Sequence, residues 1–368
     1  MLRQVARCLI AITVLLGSAS SAAAAGRFDT RGAQPYQQTN LVSDLPGAQF
    51  TDANLLNPWG LTHSPTSPWW ISDNGAGVST LYNGSGQPQF QPVPLVVTIP
   101  PPGGSPEGTT AAPTGDVFNG TTGFVVKKGT ASGPAAFIFA TEDGTISGWN
   151  RQVDPTHAIL EVDNSTVGAG AVYKGLALVN NHLYATNFRF GTIDVFDSTF
   201  TQVHLGADAF SDAAIPDGYA PFGIANIQGD LFVTYAKQDQ AKHDDVAGAG
   251  HGFVDIFDPS GHLLKRLVLR RFLNSPWGLA LAPDDFGPFS GALLVGNFGN
   301  GLINAFDSSN GRFLGQLHDQ QGNLIQNNGL WGLAFGNDHS AGPSNTLFFT
   351  AGLNHEADGL FGAIAPTS

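Results

Sequence analysis

A short apolar motif recurs along the chain and restricts its fold more than any other feature. The motif is a strand-like segment built around a glycine, usually x-Gly-Leu-Ala, and it follows a turn. Its clear copies are Trp59-Gly60-Leu61, Lys174-Gly175-Leu176-Ala177, Phe222-Gly223-Ile224-Ala225, Trp277-Gly278-Leu279-Ala280 and Trp331-Gly332-Leu333-Ala334. A weaker copy is Asn119-Gly120, which precedes Gly123-Phe124-Val125-Val126. The marker glycines (60, 120, 175, 223, 278 and 332) are 48 to 60 residues apart. Self-similarity at this period indicates a repeat architecture.

Each motif is followed by three further strand-like segments. The second segment ends in polar residues, as in Leu183 to Asn187, and the third often ends in aspartate, as in Phe253 to Asp258. A fourth, less regular segment precedes the next motif, for example Leu263 to Leu269. Apolar residues alternate with period two, as in strands with one buried face. The pattern predicts an all-β fold, a six-bladed β-propeller of four-stranded antiparallel blades, because ring closure protects sheet edges.

The two ends of the chain are expected to share one blade. The last unit offers three convincing strands, and the segment from Tyr36 to Val42 is predicted to supply the fourth. A seventh, degenerate blade remains the alternative. The even spread of the repeat predicts a single domain over residues 26–368, with the proline-rich stretch 92–113 as a surface loop or insertion.

The N-terminus has the order of segments found in a secretory signal. Arg3 and Arg7 precede an apolar run, and Ala23-Ala24-Ala25 provides a small-residue cleavage site. Residues 1–25 are therefore predicted to be a signal peptide, and the protein is expected to be secreted or periplasmic. No later stretch reaches the roughly 20 apolar residues of a membrane span. Cys8 is the only cysteine and lies within this signal, so disulfides and cysteine chemistry are not expected.

The charge balance excludes one class of partner. The formal net charge is −13, and loss of Arg3 and Arg7 with the signal makes it −15. Such a surface repels phosphates, which argues against nucleic acid. A monomer is expected.

Several motifs together resemble a known group of proteins. They are Asn40-Leu41-Val42-Ser43-Asp44, Asn57-Pro58-Trp59-Gly60-Leu61, Ser72-Asp73-Asn74, Pro113-Thr114-Gly115 and the Trp-Gly-Leu-Ala copies. The units resemble NHL-type propeller repeats, and the chain is similar to a family of secreted bacterial propeller proteins of unknown function. The resemblance covers nearly all of the mature chain. It implies the propeller fold and no catalytic residues.

The predicted strand order gathers polar residues on one face of the ring. They follow the second strands or precede the inner ones: Asn57, Asp73, Asn74, Glu142, Asp143, Asn187, Arg189, Asn297, Asn300, Asn354, His355 and Glu356. Their oxygens could bind a hard cation such as calcium, or donate and accept hydrogen bonds with a sugar. The alternative for each residue, which turn chemistry favours, is a role in capping tight turns.

Three other features each admit a functional and a structural reading. Trp59, Trp277 and Trp331 could stack on sugars, but their equivalent positions favour packing between blades. The connection from Lys237 to Gly252 could ligate a metal through Asp239, His243, Asp244, Asp245 and His251, although a solvated loop is favoured. The basic run of Lys265, Arg266, Arg270 and Arg271 could bind an anion, but an outer strand protected by charge is favoured.

No compact catalytic motif is present in the sequence. It lacks G-x-S-x-G, a Walker-type loop, C-x-x-C and H-E-x-x-H. The leading hypothesis is a non-enzymatic binding or scaffold module for an extracellular protein or glycan. The alternative is a metal-dependent hydrolase or lactonase with its site at the mouth of the central channel. Whether the protein is an enzyme stays open at this stage, as does a purely structural role in an envelope or matrix.

Overall fold

Six four-stranded antiparallel blades form almost the whole fold. The computed structural model describes residues 35–90 and 93–367, so the predicted signal peptide lies outside the described residues. Within them the prediction of an all-β, six-bladed propeller is confirmed.

The strands of the first three blades run outward from the channel in chain order. Blade 1 contains Pro58–Thr62, Trp69–Asp73, Val78–Tyr82 and Val96–Thr98. Blade 2 contains Pro113–Phe118, Phe137–Thr141, Thr145–Trp149 and Ile159–Asp163, with a hairpin of Val125–Lys128 and Ala131–Pro134 in its first connection. Blade 3 contains Tyr173–Val179, His182–Asn187, Thr192–Phe196 and Gln202–Val203.

The next two blades repeat this arrangement. Blade 4 contains Tyr219–Ile227, Asp230–Lys237, Phe253–Phe257 and Leu263–Leu269. Blade 5 contains Pro276–Leu281, Ala292–Asn297, Ile303–Asp307 and Phe313–Gln316, with a 3-10 turn at Gly287–Phe289. The run with Lys265 and Arg266 is therefore the predicted outer strand.

Blade 6 closes the ring with strands from both ends of the chain. It contains Leu330–Phe335, Leu347–Gly352, Asp358–Pro366 and Tyr36–Ser43, with Phe50–Thr51 added in parallel at the outer edge. Tyr36–Ser43 pairs antiparallel with Asp358–Pro366. The expected closure is confirmed, and the described residues form no seventh blade.

The inner strand of blade 2 differs from the prediction. The segment Gly123-Phe124-Val125-Val126 contributes to the extra hairpin, and the inner strand is Pro113–Phe118. Gly115 is the marker glycine of this blade, and the motif does not reveal it because Asp116, not leucine or isoleucine, follows the glycine. Within the stretch 92–113, Val96–Thr98 is the outer strand of blade 1, residues 99–112 carry no helix or strand, and Pro113 opens blade 2.

Neighbouring inner strands approach one another at a ring of six glycines. These ring glycines are Gly60, Gly115, Gly175, Gly223, Gly278 and Gly332. A Cβ atom added at any of them would lie 2.1 to 3.0 Å from a backbone atom of the next blade, the last contact running from Gly332 back to Trp59. Threonine hydroxyls fix the same contacts: Thr186 donates to the Phe222 carbonyl at 2.7 Å, and Thr114 donates to the Tyr173 carbonyl at 2.9 Å.

Apolar side chains fill the spaces between blades farther from the channel. Between blades 1 and 2, for example, Trp70 stacks on Phe137 with ring centroids 4.1 Å apart, and Trp149 packs beside them. Among the described residues, no helix has the length and hydropathy needed to cross a bilayer.

The ring of glycines predicts a sharp difference between two alanine substitutions. Gly223→Ala would place a Cβ 2.1 Å from the Trp277 carbonyl oxygen, whereas Gly206 has no atom within 4 Å of that position. We expect Gly223→Ala to lower the free energy of unfolding by about 3 kcal/mol or more, because backbone on both sides must move. Gly206→Ala should change it little. Urea unfolding measures both, and equal effects would contradict close packing of the inner strands.

Candidate functional site

A polar cavity lies where the connections of all six blades meet at one end of the channel. Its volume is about 290 Å³. This mouth cavity is lined by Asn57, Trp59, Asn74, Glu142, Lys174, Asp244, Asp245, Phe298, Trp331 and Glu356. Its residues precede or open inner strands, or belong to connections between second and third strands, as the predicted strand order required.

Four of the predicted site residues line this cavity and contact one another. Asn57 Nδ2 lies 3.3 Å from both Asn74 Oδ1 and Glu356 Oε1. Asn74 Nδ2 donates to Glu142 Oε2 at 3.0 Å. Asn57, Asn74, Glu142 and Glu356 thus form a continuous polar chain across blades 1, 2 and 6.

Three of the other predicted residues are buried within their blades. Asp73 accepts a hydrogen bond from the Thr80 hydroxyl at 2.8 Å, and burial raises its pKa well above the ordinary value. Asn187 donates to Asp194 at 2.9 Å, and Asn297 donates to the Phe272 carbonyl at 2.9 Å. These side chains hold strands together outside the cavity.

The remaining five stand in the connections around the mouth and do not line the cavity. Asp143 accepts from the Ala112 amide at 2.8 Å, and Arg189 donates to the Ala169 and Gly170 carbonyls. Asn300 accepts from the Leu302 amide, Asn354 donates to Asp358, and His355 is exposed. Their contacts within loops agree with the turn role considered from the sequence.

Lys174 is the central residue of the mouth cavity and was absent from the predicted set. Its side chain is 2 % exposed, and its ammonium pairs with Glu142 and, at 3.3 Å, with Asp244. Burial favours the neutral amine, but the charges of Glu142 and Asp244 outweigh it and hold the Lys174 pKa above its ordinary value. The sequence did contain a signal, because the position before the ring glycine is aromatic in four blades and lysine here.

The carboxyl groups around Lys174 have opposite acid strengths. Burial and the nearby charge of Glu142 raise the pKa of Glu356 to about 7. A hydrogen bond from His243, with the charge of Lys174, lowers the pKa of Asp244 to about 2. Burial raises the pKa of Asp245, against the lowering effect of the nearby Ser275 hydroxyl.

Glu356 reaches the cavity from a left-handed turn. Asn354, His355 and Glu356 have φ angles of 51°, 59° and 67° within the short helical segment Leu353–Glu356. Consecutive L-residues in this region are costly and tend to occur at functional positions. Gly352 leaves the space that Asn57 occupies, since an added Cβ would lie 2.2 Å from Asn57 Oδ1.

Stacked indole rings line the cavity beside the polar residues. The centroids of Trp59 and Trp331 are 3.5 Å apart, and Phe298 stacks on Trp331 at 4.1 Å. Trp331 Nε1 donates to Asn57 Oδ1 at 3.1 Å, while Trp277 Nε1 donates to the Lys174 carbonyl at 3.0 Å. Burial confirms the favoured reading of packing between blades for Trp59 and Trp331, although both also line the cavity.

One group of side chains has the composition of a metal site. Ligand atoms of Glu142, His243 and Asp244 lie within 4.8 Å of one another. The ammonium of Lys174 already binds both carboxylates, so a calcium or transition-metal ion would have to displace it. The residues present therefore fit a bound cation poorly while Lys174 is charged. His251, from the same connection, instead contacts the Val246 carbonyl at 2.7 Å.

The opposite part of the channel is lined by inner strands and not by the polar connections that form the mouth cavity. A cavity of about 390 Å³ is lined mainly by the inner strands and contains Asp116. Both carboxyl oxygens of Asp116 are buried without a partner among the residues described, and burial raises its pKa well above the ordinary value.

Solved structures of similar shape support the fold alone. A glucose dehydrogenase superimposes with a TM-score of 0.52 at 12% identity, covering 90% of this chain and 100% of that one. The soluble aldose sugar dehydrogenase of Escherichia coli in its apo-form gives 0.51 at 11% identity, with the same coverage. At these identities neither activity transfers to this chain.

Sequence relatives are found among viral proteins, and no family model matches the chain. Uncharacterized protein R648 of Acanthamoeba polyphaga mimivirus is 34% identical over 339 residues, covering 91% of this chain and 81% of the relative. Uncharacterized protein L690 of the same virus is 32% identical, covering 86% and 82%. These relatives do not support the bacterial origin that the sequence resemblance implied. The chain belongs to the family of uncharacterised proteins that includes R648 and L690 of mimivirus.

Proposed function

We propose that this propeller is a non-enzymatic binding module whose mouth cavity takes a small, hydroxyl-rich ligand, such as one sugar unit of a glycan. The observation that carries the proposal is the convergence of amide, carboxylate and ammonium groups from different blades in one cavity, against a wall in which Trp59 and Trp331 are packed. An apolar wall with a few precisely placed polar groups is typical of small-molecule sites. The volume of about 290 Å³ is at the lower end of such sites and favours a small ligand.

Donors and acceptors both line the cavity, which favours a ligand with hydroxyl groups. The amides of Asn57 and Asn74 can donate, and the carboxyl groups of Glu142 and Glu356 can accept. A hydroxyl group can both donate and accept, so it can satisfy groups of either kind.

We also propose that the protein acts outside the cytoplasm, because its first 25 residues have the composition of a secretory signal. Expression with the natural N-terminus in a bacterial host tests this proposal. We expect the recovered protein to begin at Gly26 and to be found in the periplasm or medium. Retention of Met1 in cytoplasmic protein would contradict it.

The binding proposal predicts which substitutions weaken ligand affinity. The ligand is first identified with a glycan array and a panel of free monosaccharides, and its affinity is then measured by titration calorimetry. Asn74→Ala removes an amide that lines the cavity and orients Glu142, and it should weaken binding about tenfold, because the ligand loses a hydrogen-bonding group of the wall. Asn310→Ala, on an exposed turn of blade 5, is the matched control and should bind normally. Absence of binding to every glycan and monosaccharide would overturn the proposal.

A metal-dependent hydrolase is the second candidate, favoured by the cluster of Glu142, His243 and Asp244. Lys174 allows an experiment to distinguish the binding module from the hydrolase. Its ammonium supplies the positive charge between Glu142 and Asp244 that a metal ion would otherwise supply. Under the binding proposal, calcium or manganese should not raise the thermal midpoint of the wild-type protein. Lys174→Met should acquire a metal-dependent rise of several degrees, since the carboxylates lose their internal cation.

Lys265→Met, on the exposed outer strand of blade 4, is the control for this substitution and should show no response to metal. Elemental analysis of the wild-type protein gives a second readout that does not depend on folding of the variant. Stoichiometric retained metal in the wild type would favour the hydrolase over the binding module.

The acid strength of Glu356 predicts a pH dependence of stability. Its pKa rises from 4.5 to about 7 on folding, so between these values the unfolded chain loses a proton that the folded protein keeps. Stability should therefore fall as pH rises through this window, by up to about 3 kcal/mol, and then level off. Glu356→Gln removes this contribution, whereas Glu107→Gln on an exposed loop should keep the wild-type curve. Parallel curves for wild type and Glu356→Gln in urea unfolding would contradict the assignment.

A further inference from the structure

A second cleft at this end of the propeller collects positive charge on an otherwise acidic protein. It has a volume of about 640 Å³ and is bordered by Lys237, His251, Arg270 and Arg271, with Asp217 as its one acidic residue. The whole chain carries 16 lysine and arginine residues and a formal charge of −13. Three of its basic side chains at one cleft are therefore a marked local reversal of charge.

These basic side chains have no carboxylate partners in the part of the chain that the structure describes. None of Lys237, Arg270 and Arg271 lies within 4.0 Å of an acidic oxygen, although other basic residues do. Neighbouring like charges repel one another, and the repulsion is relieved when an anion binds between them. Arginine is well suited to this role, since its planar guanidinium can donate two parallel hydrogen bonds to an oxyanion.

Aromatic rings hold the two guanidinium groups at the cleft. Arg270 lies over the rings of Phe253, at 5.3 Å, and Tyr219, at 5.9 Å. Arg271 lies 5.0 Å from the centre of the Phe272 ring. Such cation–π contacts restrict the side chains while leaving their N–H groups able to bind a ligand.

The backbone around the cleft is fixed by hydrogen bonds between two connections. Gly250 N donates to the Leu273 carbonyl at 2.8 Å, and Ser275 N donates to the His251 carbonyl at 2.9 Å. Arg270 has a φ angle of 44°, a costly conformation for a long side chain, and its amide donates to the Gly252 carbonyl at 3.0 Å. The cleft is therefore a built feature of blades 4 and 5.

We propose that this cleft is a binding site for an oxyanion, the phosphate, sulfate or carboxylate group of a ligand. Lys237, Arg270 and Arg271 supply the charge and the hydrogen-bond donors. The connection of residues 238–252 also supplies Asp244 and Asp245 to the mouth cavity, so the two sites share one structural element. The oxyanion site rests on its own residues and does not require the proposed binding of a neutral sugar.

Titration calorimetry on the purified protein tests the site with inorganic phosphate, sulfate and glucuronate as separate probes at low ionic strength. We expect at least one probe to bind, with chloride at the same ionic strength giving no heat beyond dilution. The double variant Lys237→Gln with Arg271→Gln should bind that probe about tenfold more weakly or worse, because two charge-assisted contacts are lost. The probe that binds most tightly shows whether the site prefers the phosphate, sulfate or carboxylate group of a ligand.

Two controls make the result specific to the cleft. Arg312→Gln removes an exposed arginine from blade 5 and should leave the affinity for the probe unchanged. Asn74→Ala alters the mouth cavity and should also leave this affinity unchanged, because the oxyanion site is separate from that cavity. Thermal unfolding verifies that each variant is folded. The proposal is overturned if no probe binds the wild-type protein, or if Arg312→Gln weakens binding as much as the double variant.

Discussion

Direct contact between the backbones of neighbouring inner strands is the constraint on which the rest of the molecule depends. Six glycines permit it, because the space for a Cβ atom at each is taken by the next blade. Larger residues at these positions would push the blades apart and widen the channel. The close approach also explains why the repeat is visible in the sequence, since the same steric demand recurs in every blade.

The mouth cavity is a consequence of this tight centre. Because the inner strands start close together, residues as distant in sequence as Asn57 and Glu356 meet within hydrogen-bond distance. Large side chains just before the ring glycines then fill the end of the channel with stacked rings. Lys174 stands at one of these positions, where a buried charge is tolerable only with Glu142 and Asp244 beside it. The repeat thus fills the channel end with aromatic side chains in four blades, and the lysine of blade 3 creates the polar centre.

The sequence predicted the architecture well because every blade needs a glycine where its inner strand contacts the next one. It predicted the site less well because the site is formed by residues that differ from blade to blade. The inner strand of blade 2 was wrongly predicted at Asn119-Gly120, since Asp116 after Gly115 replaces the leucine or isoleucine that follows the glycine in the other blades. Of the polar turn residues, Asn57 and Glu356 reach the cavity, whereas Asn187 and Asn297 point their hydrogen bonds into their own blades. Residue type alone does not distinguish the polar residues that line the cavity from those bonded within their own blade, because residues of both groups follow or precede strands. The acidic side chains of the long connection suggest a metal site from the sequence, whereas the pairing of Asp244 with Lys174 joins residues 70 positions apart and follows only from the fold.

Pairing of Tyr36–Ser43 with Asp358–Pro366 has a consequence for the biogenesis of the protein. Because blades 1 to 5 lie between these strands along the chain, Tyr36–Ser43 has no partner until Asp358–Pro366 has been synthesised, and the ring stays open until then. Blades 1 to 5 can fold one after another as they are synthesised. The two outer strands of blade 6 can pair only after both have been synthesised. A nascent chain of this kind exposes unpaired strand edges during synthesis of blades 1 to 5, and the arrival of Asp358–Pro366 ends this period of susceptibility to aggregation.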